Sequence, residues 1–246
     1  MTEIGQIIGQ LDPAQMSKGE LVEFVRVANE IKKRERQRLI DSYYPDEGPL
    51  RRELYVKHLE FFAAGAEYSE RCIIAANRIG KSMGVGAYEM SLHLTGQYPG
   101  WWVGRRFNHG ILAWAAGDTG KTVRDIVQLA LLGETGDFGT GMIPADSIEG
   151  TTPKHGLPDA IESVKVRHVS GDISTCFLKS YDQRREAFQG TAIHVGWCDE
   201  EPPEDIYVEM LMRTMTTGGI IMVTFTPLLG VSNVVKSFMP GIGHDH

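Results

Sequence analysis

Two short clusters in this 246-residue chain hold the residue types that phosphate chemistry requires. The first lies in residues 71–82, RCIIAANRIGKS, where a short apolar run breaks into a polar loop ending Gly80-Lys81-Ser82. The stretch that follows, MGVGAYEMSLHL, reads as a helix. A buried strand, a loop and a helix N-terminus together aim backbone N–H groups and partial positive charge at an anion. In such a loop Ala76, Asn77, Arg78, Ile79 and Gly80 wrap the phosphates, and Lys81 reaches the β- and γ-oxygens. The Ser82 hydroxyl is then placed to ligate Mg²⁺. The second cluster is Asp199-Glu200-Glu201, directly after the apolar run 193–198. An aspartate at such a strand end holds Mg²⁺, directly or through water, and the next glutamate orients the attacking water.

The glycine that usually opens a phosphate loop is replaced here by Ala75, and Gly-Lys-Ser alone is a weak signal. A rival, AAGDTGKT at residues 115–122, has the same ending. Electrostatics favours the first loop, because Asp118 would set a carboxylate inside a cradle for anions. The second is expected to be a strand–turn–helix of the same sheet.

Several elements must position these groups. Residues 17–40 read as one helix with a Ser17/Glu20 capping box and Leu21, Phe24, Val25, Ala28 and Ile31 on one face. Its basic second half (Lys32, Lys33, Arg34, Arg36, Arg38) is either a solvated face or a surface for DNA or an acidic neighbour. Residues 44–49, YPDEGP, look like a linker. Residues 50–65 read as a core helix, or in part as an aromatic cover for a nucleotide base. Strands are expected at 111–116, 164–169, 173–178, 193–198 and 220–225, the second and third forming a hairpin around Ser170-Gly171-Asp172. Residues 133–158 read as a long irregular connection. The last strand should lie beside the two that carry the site, with Thr224 or Thr226 placed to sense a γ-phosphate.

The composition, 42% hydrophobic, is enough for a substantial core. Three scattered cysteines argue against a disulfide framework or a zinc site and for a reducing compartment. The N-terminus lacks a secretory pattern, and no apolar run approaches the roughly 20 residues of a membrane span. A soluble intracellular protein is expected. The net charge of −7 requires any nucleic-acid contact to use local basic patches.

Taken together, these motifs resemble the ATPase domain of the large terminase subunit of tailed bacteriophages, the motor that packages DNA into a procapsid. The resemblance runs from about residue 50 to 235 and rests on the 75–82 loop, Cys198-Asp199-Glu200-Glu201 and Thr224-Phe225-Thr226-Pro227. It implies an α/β fold of the ASCE P-loop NTPase type, with a mostly parallel sheet flanked by helices, an added β-hairpin and an N-terminal helical segment. Three regions follow: an N-terminal helical segment or lid at 1–49, the ATPase domain at 50–235, and at 236–246 the start of a linker to a nuclease domain. Because the chain stops at His246, no nuclease activity is expected of it. Hydrolysis of ATP with Mg²⁺ would use Lys81 and Glu200, with Ser82 and Asp199 as metal ligands and Thr226 in the motif that couples hydrolysis to movement. Arg78 stands three residues before Lys81, where the family's arginine more often stands four before. Arg184 and Arg185 are candidates for an arginine finger supplied to a neighbouring subunit. The implied partners are double-stranded DNA, the portal and procapsid, the small terminase subunit, and further copies in a homo-oligomeric ring, the isolated chain being monomeric. The implied location is the host cell cytoplasm. The alternatives are a helicase-like or other DNA-dependent ATPase, and a nucleotide-binding assembly scaffold that does not hydrolyse ATP.

Overall fold

The computed structural model describes residues 16–76, 80–226 and 232–239. Its centre is one seven-stranded sheet in the order β1-β7-β6-β2-β5-β4-β3. The strands are β1 (Glu70–Ile74), β2 (Leu112–Gly117), β3 (Ile148–Pro153), β4 (Ile161–Arg167), β5 (Ile173–Ser180), β6 (Val195–Asp199) and β7 (Ile220–Phe225). The pairings from β1 through β5 are parallel, while β4 and β3 add antiparallel.

Sequence pattern separates the two kinds of strand. Every residue of β6 (VGWCD) and β7 (IIMVTF) is buried, as expected where helices cover both faces of a parallel sheet. In β4 and β5 buried and more exposed positions nearly alternate, which marks a sheet with one face on the core. The hairpin expected around Ser170-Gly171-Asp172 is β4–β5, with Gly171 at a φ of +93°.

Helix α1 (Lys18–Arg36) has the expected capping box, Ser17 bonding Glu20 in both directions. It stops short of residue 40, and a 3₁₀ turn, Leu39–Ser42, follows. No residue of α1 is buried, so its apolar face is not covered by the described residues. Of the basic run, Arg36 at the end of α1 and Arg38 just beyond it meet acids of the same chain, Asp137 at 2.8 Å and Asp146 at 2.9 Å.

In two places the fold departs from the sequence pattern. The presumed linker at 44–49 begins inside the core: Tyr44 is 2% exposed and its ring packs edge-on against Phe62 and Tyr88. The connection 133–158 is not wholly irregular, because β3 forms within it as the outermost strand. Its alternation is blurred by Gly150 and Pro153, which is why the sequence concealed it.

Helix α2 (Val56–Ala64) precedes β1 and buries His58, Phe61 and Phe62. Helix α3 follows β1, opening with π-helical turns at Lys81–Ala87 and continuing as α-helix through Tyr88–Thr95. Helix α4 follows β2 through Gly120–Thr122, Val123–Gln128 and Leu129–Leu132. Helix α5 (Glu204–Met215) follows β6, and α6 (Asn233–Ser237) packs beside it. A buried Arg71–Glu89 pair at 2.7 Å joins the start of β1 to α3, and His93 adds a 3.1 Å contact to the same carboxylate. Among the described residues, no helix is long and apolar enough to cross a membrane.

Candidate active site

β7 lies between β1 and β6, so the strands leading to the two clusters run parallel and end at the same edge of the sheet. Gly80 opens α3 with a φ of +86°, a left-handed conformation that glycine adopts without a Cβ penalty. Lys81 is buried, and its ammonium donates to the Ala75 carbonyl, the Ala76 carbonyl and Thr226 Oγ1, each at 2.8 Å. The Ser82 hydroxyl donates to Asp199 Oδ1 at 2.7 Å, across 117 positions of sequence.

Asp199 is nearly enclosed. Its Oδ1 accepts a second bond, 2.8 Å, from Thr224 Oγ1, which in turn receives the Trp197 indole N–H at 2.9 Å. Burial pushes the Asp199 carboxyl up to about 6, while the hydrogen bonds from Ser82 and Thr224 pull it down. A buried carboxylate beside a hydroxyl is a hard-oxygen donor set that suits Mg²⁺, which commonly takes only one or two protein oxygens beside phosphate and water. Among the described residues no cluster of three or more His, Cys, Asp or Glu is built to hold a metal.

Glu200 has a φ of +73°, which costs a non-glycine residue on the order of 1–3 kcal/mol. Three contacts hold it there. Its N–H donates to Thr224 O at 2.8 Å, its carbonyl accepts from the Tyr181 hydroxyl at 3.0 Å, and its Oε2 faces the Thr226 N–H at 3.4 Å. The expectation that β7 flanks both halves of the site is thus met, with a division of labour between its threonines. Thr224 supports Asp199, whereas Thr226 meets Lys81 and Glu200.

The structure brings Ala76, Gly80, Lys81, Ser82, Asp199, Glu200 and Thr226 to one place. Asn77, Arg78 and Ile79 lie outside the described residues. Arg184 and Arg185 sit on the loop that Tyr181 docks against Glu200. Arg185 is tied to the buried Glu209 at 2.8 Å, a carboxylate that Arg213 shares. Arg184 is exposed with a φ of +62°, and its guanidinium has no hydrogen-bond partner among the described residues. Lys179 pins the far side of this loop: its ammonium lies 4.8 Å from the Trp114 ring centre and donates to Ala187 O at 2.5 Å.

The rival loop is occupied with capping its own helix. Thr119 and Thr122 bond each other reciprocally, and the Gly120 N–H turns to Asp182 Oδ2 at 3.3 Å. It is the strand–turn–helix expected from the sequence, continuing β2 into α4.

Sequence reasoning missed Tyr181, Trp197 and the pair Tyr43-Tyr44. None carries a motif signal, since each acts through the tertiary position of one polar atom or ring. The tyrosine pair helps wall a cavity of about 590 Å³ beside the phosphate loop, with Tyr55, His58, Gly80 and Gly84. The expectation that part of residues 50–65 covers a base falls on this wall.

An extra strand between the phosphate-loop strand and the acidic strand, with a glutamate after the aspartate, defines a P-loop NTPase of the ASCE type. Comparison with known proteins narrows the class. Residues 72–243 match the family described as terminase large subunit, T4likevirus-type, N-terminal. The chain belongs to that family. The large terminase subunit of Salmonella phage P22 is 40% identical over 205 residues, covering 75% of this chain and 41% of that relative. This chain therefore spans well under half the length of that relative. Among solved structures, the large terminase of a thermophilic bacteriophage aligns with a TM-score of 0.49 at 13% identity, over 70% of this chain and 38% of that one. The large terminase ATPase domain of Thermus phage P74-26 aligns at 0.45 and 15% identity, over 63% and 58%.

Proposed function

We propose that this chain is an ATP-hydrolysing module that drives double-stranded DNA into a viral procapsid. The observation that carries the reading is the Ser82–Asp199 contact at 2.7 Å, which joins the phosphate loop to the acidic strand at one oxygen. In this proposal Ser82 and Asp199 hold Mg²⁺, which when bound neutralises charge on the β- and γ-phosphates. Lys81 exchanges its loop carbonyls for phosphate oxygens, and the N-terminus of α3 adds its partial positive charge. Glu200, held in its left-handed conformation, aims a carboxylate at the attacking water. Phosphoryl transfer leaves little covalent work for the protein, so positioning and charge complementarity supply most of the rate. By sequence position Asn77, Arg78 and Ile79 belong to the same phosphate-binding loop.

Of the two finger candidates, Arg184 is the better one, because Arg185 is already paired with Glu209. The finger acts on the site of the next subunit in a homo-oligomeric ring, and the isolated chain is a slow monomer. Thr226 links Lys81 to the end of β7, a route by which loss of the γ-phosphate moves that strand. In this reading residues 50–235 are the motor domain and 1–49 a helical segment or lid. Family membership supports the portal, procapsid, small terminase subunit and DNA as partners and the host cytoplasm as the place of action.

The test is Glu200→Gln. Binding of Mg²⁺-ATP stays within a factor of two or so while steady-state hydrolysis falls by about 10²–10⁴. Hydrolysis at the wild-type rate would remove Glu200 from its role.

A further inference from the structure

We infer that His58 selects the base of the bound nucleotide, with Tyr44 fixing which of its ring nitrogens accepts a hydrogen bond. This rests on reading the cavity beside the phosphate loop as the place of the base.

The Tyr44 hydroxyl has one proton to give. The Tyr44 hydroxyl lies 2.5 Å from the Gly84 carbonyl and 2.8 Å from His58 Nδ1. A carbonyl only accepts, so the single hydroxyl hydrogen goes to Gly84. His58 Nδ1 must then be the donor in the second contact. In a neutral imidazole with Nδ1 protonated, Nε2 carries a lone pair. Burial holds the His58 pKa below the ordinary histidine value, so the ring is neutral at pH 7. Nε2 has no hydrogen-bond partner among the described residues, and it is not among the polar atoms sealed from solvent without a partner. Since His58 lines the cavity between Gly80 and Gly84, that lone pair is open to a ligand there.

Walls formed by Tyr43 and Tyr55 suit a flat aromatic guest. An acceptor at the rim selects a guest with an N–H donor on its edge, which the exocyclic 6-amino group of adenine supplies. Tyr44 makes this arrangement depend on α3, because Gly84 lies on the first turn after the phosphate loop. The tyrosine is itself enclosed by Tyr55, Phe62, Tyr88 and Trp101, so its hydroxyl cannot swing away.

The experiment measures dissociation constants for ATP and for purine riboside triphosphate, which has hydrogen in place of the amino group. The wild-type chain is expected to prefer ATP by roughly three- to tenfold, one hydrogen bond's worth. His58→Phe brings the ratio to about one, and His58→Gln, whose amide oxygen accepts, keeps a preference. Tyr44→Phe lowers the ratio although His58 is intact, because the tautomer is no longer fixed. A purely structural histidine would weaken both ligands equally. Nitrogen-15 NMR of the wild-type chain adds an arm that needs no variant: Nδ1 reads as protonated and Nε2 as the bare nitrogen. A wild-type ratio of one, or a protonated Nε2, overturns the inference and leaves the phosphate site standing. Failure of either triphosphate to bind overturns the nucleotide site and this inference with it.

Discussion

Replacing Gly86 by alanine tests the packing that holds the two halves of the site together. Gly86 lies one turn beyond Ser82 on α3, against the indole of Trp197 on β6. A Cβ there would sit 2.1 Å from Trp197 Cε2 and 2.3 Å from Cζ2 and Nε1. Carbon atoms in contact prefer roughly 3.5–4.0 Å, so ring and helix must separate by more than about 1 Å. The indole cannot swing aside: Trp197 is fully buried, and its N–H holds Thr224, which holds Asp199. Overpacking costs about 1–3 kcal/mol, and alanine returns up to about 1 kcal/mol of helix propensity. The net loss is on the order of 0–3 kcal/mol, a few degrees in Tm for a chain of this size. Activity should suffer more. An ångström between Ser82 and Asp199 is enough for about a hundredfold loss in turnover. The assays are thermal denaturation alongside Mg²⁺-ATP hydrolysis at fixed protein concentration. Trp197→Phe in the same chain should recover part of the lost rate. Unchanged turnover and an unchanged or higher Tm in Gly86→Ala would refute the reasoning.

Other perturbations separate framework from chemistry. Glu89→Gln leaves the buried Arg71 guanidinium without its counter-charge and should cost about 3 kcal/mol in urea denaturation, with the nucleotide residues untouched. Stability should be flat between about pH 7 and 8 and fall on acidification from about 6.5, with Asp199, whose carboxyl burial raises to about 6, opposing part of the fall. Burial depresses the pKa of His58, His93, His168 and His194, so the unfolded chain takes up protons that the folded chain refuses. His93→Phe should remove part of that decline, as read from Tm against pH. Arg184→Ala should leave ATP affinity intact and abolish the rise in specific ATPase activity with protein concentration, whereas Arg185→Ala should first lower thermal stability.

Much of the candidate site was legible because its groups lie at the ends of apolar strands. β6 and β7 are continuous hydrophobic runs that break at Asp199 and Thr226, and such breaks are visible without coordinates. The charge of Asp118 ranks the two Gly-Lys loops from sequence alone, and the structure adds that Thr119 and Thr122 satisfy each other. What escaped is what depends on contacts between distant segments. Tyr44 sits among Pro, Asp and Gly that signal a linker, yet its ring completes the core over α3. β3 gains its place from pairing with β4, not from its own residues, which include Gly150 and Pro153. The periodicity of α1 marks an apolar face, but periodicity says nothing about what covers it.

The central claim is that residues near 80 and near 200 close around one metal–triphosphate. Its most direct measurement is a structure of the chain with Mg²⁺ and a nonhydrolysable ATP analogue. The account predicts the triphosphate against Gly80–Ser82, with the metal about 2.0–2.1 Å from Ser82 Oγ and bound to Asp199 directly or through one water. Triphosphate density on Gly120-Lys121-Thr122, or a metal remote from Asp199, would contradict it.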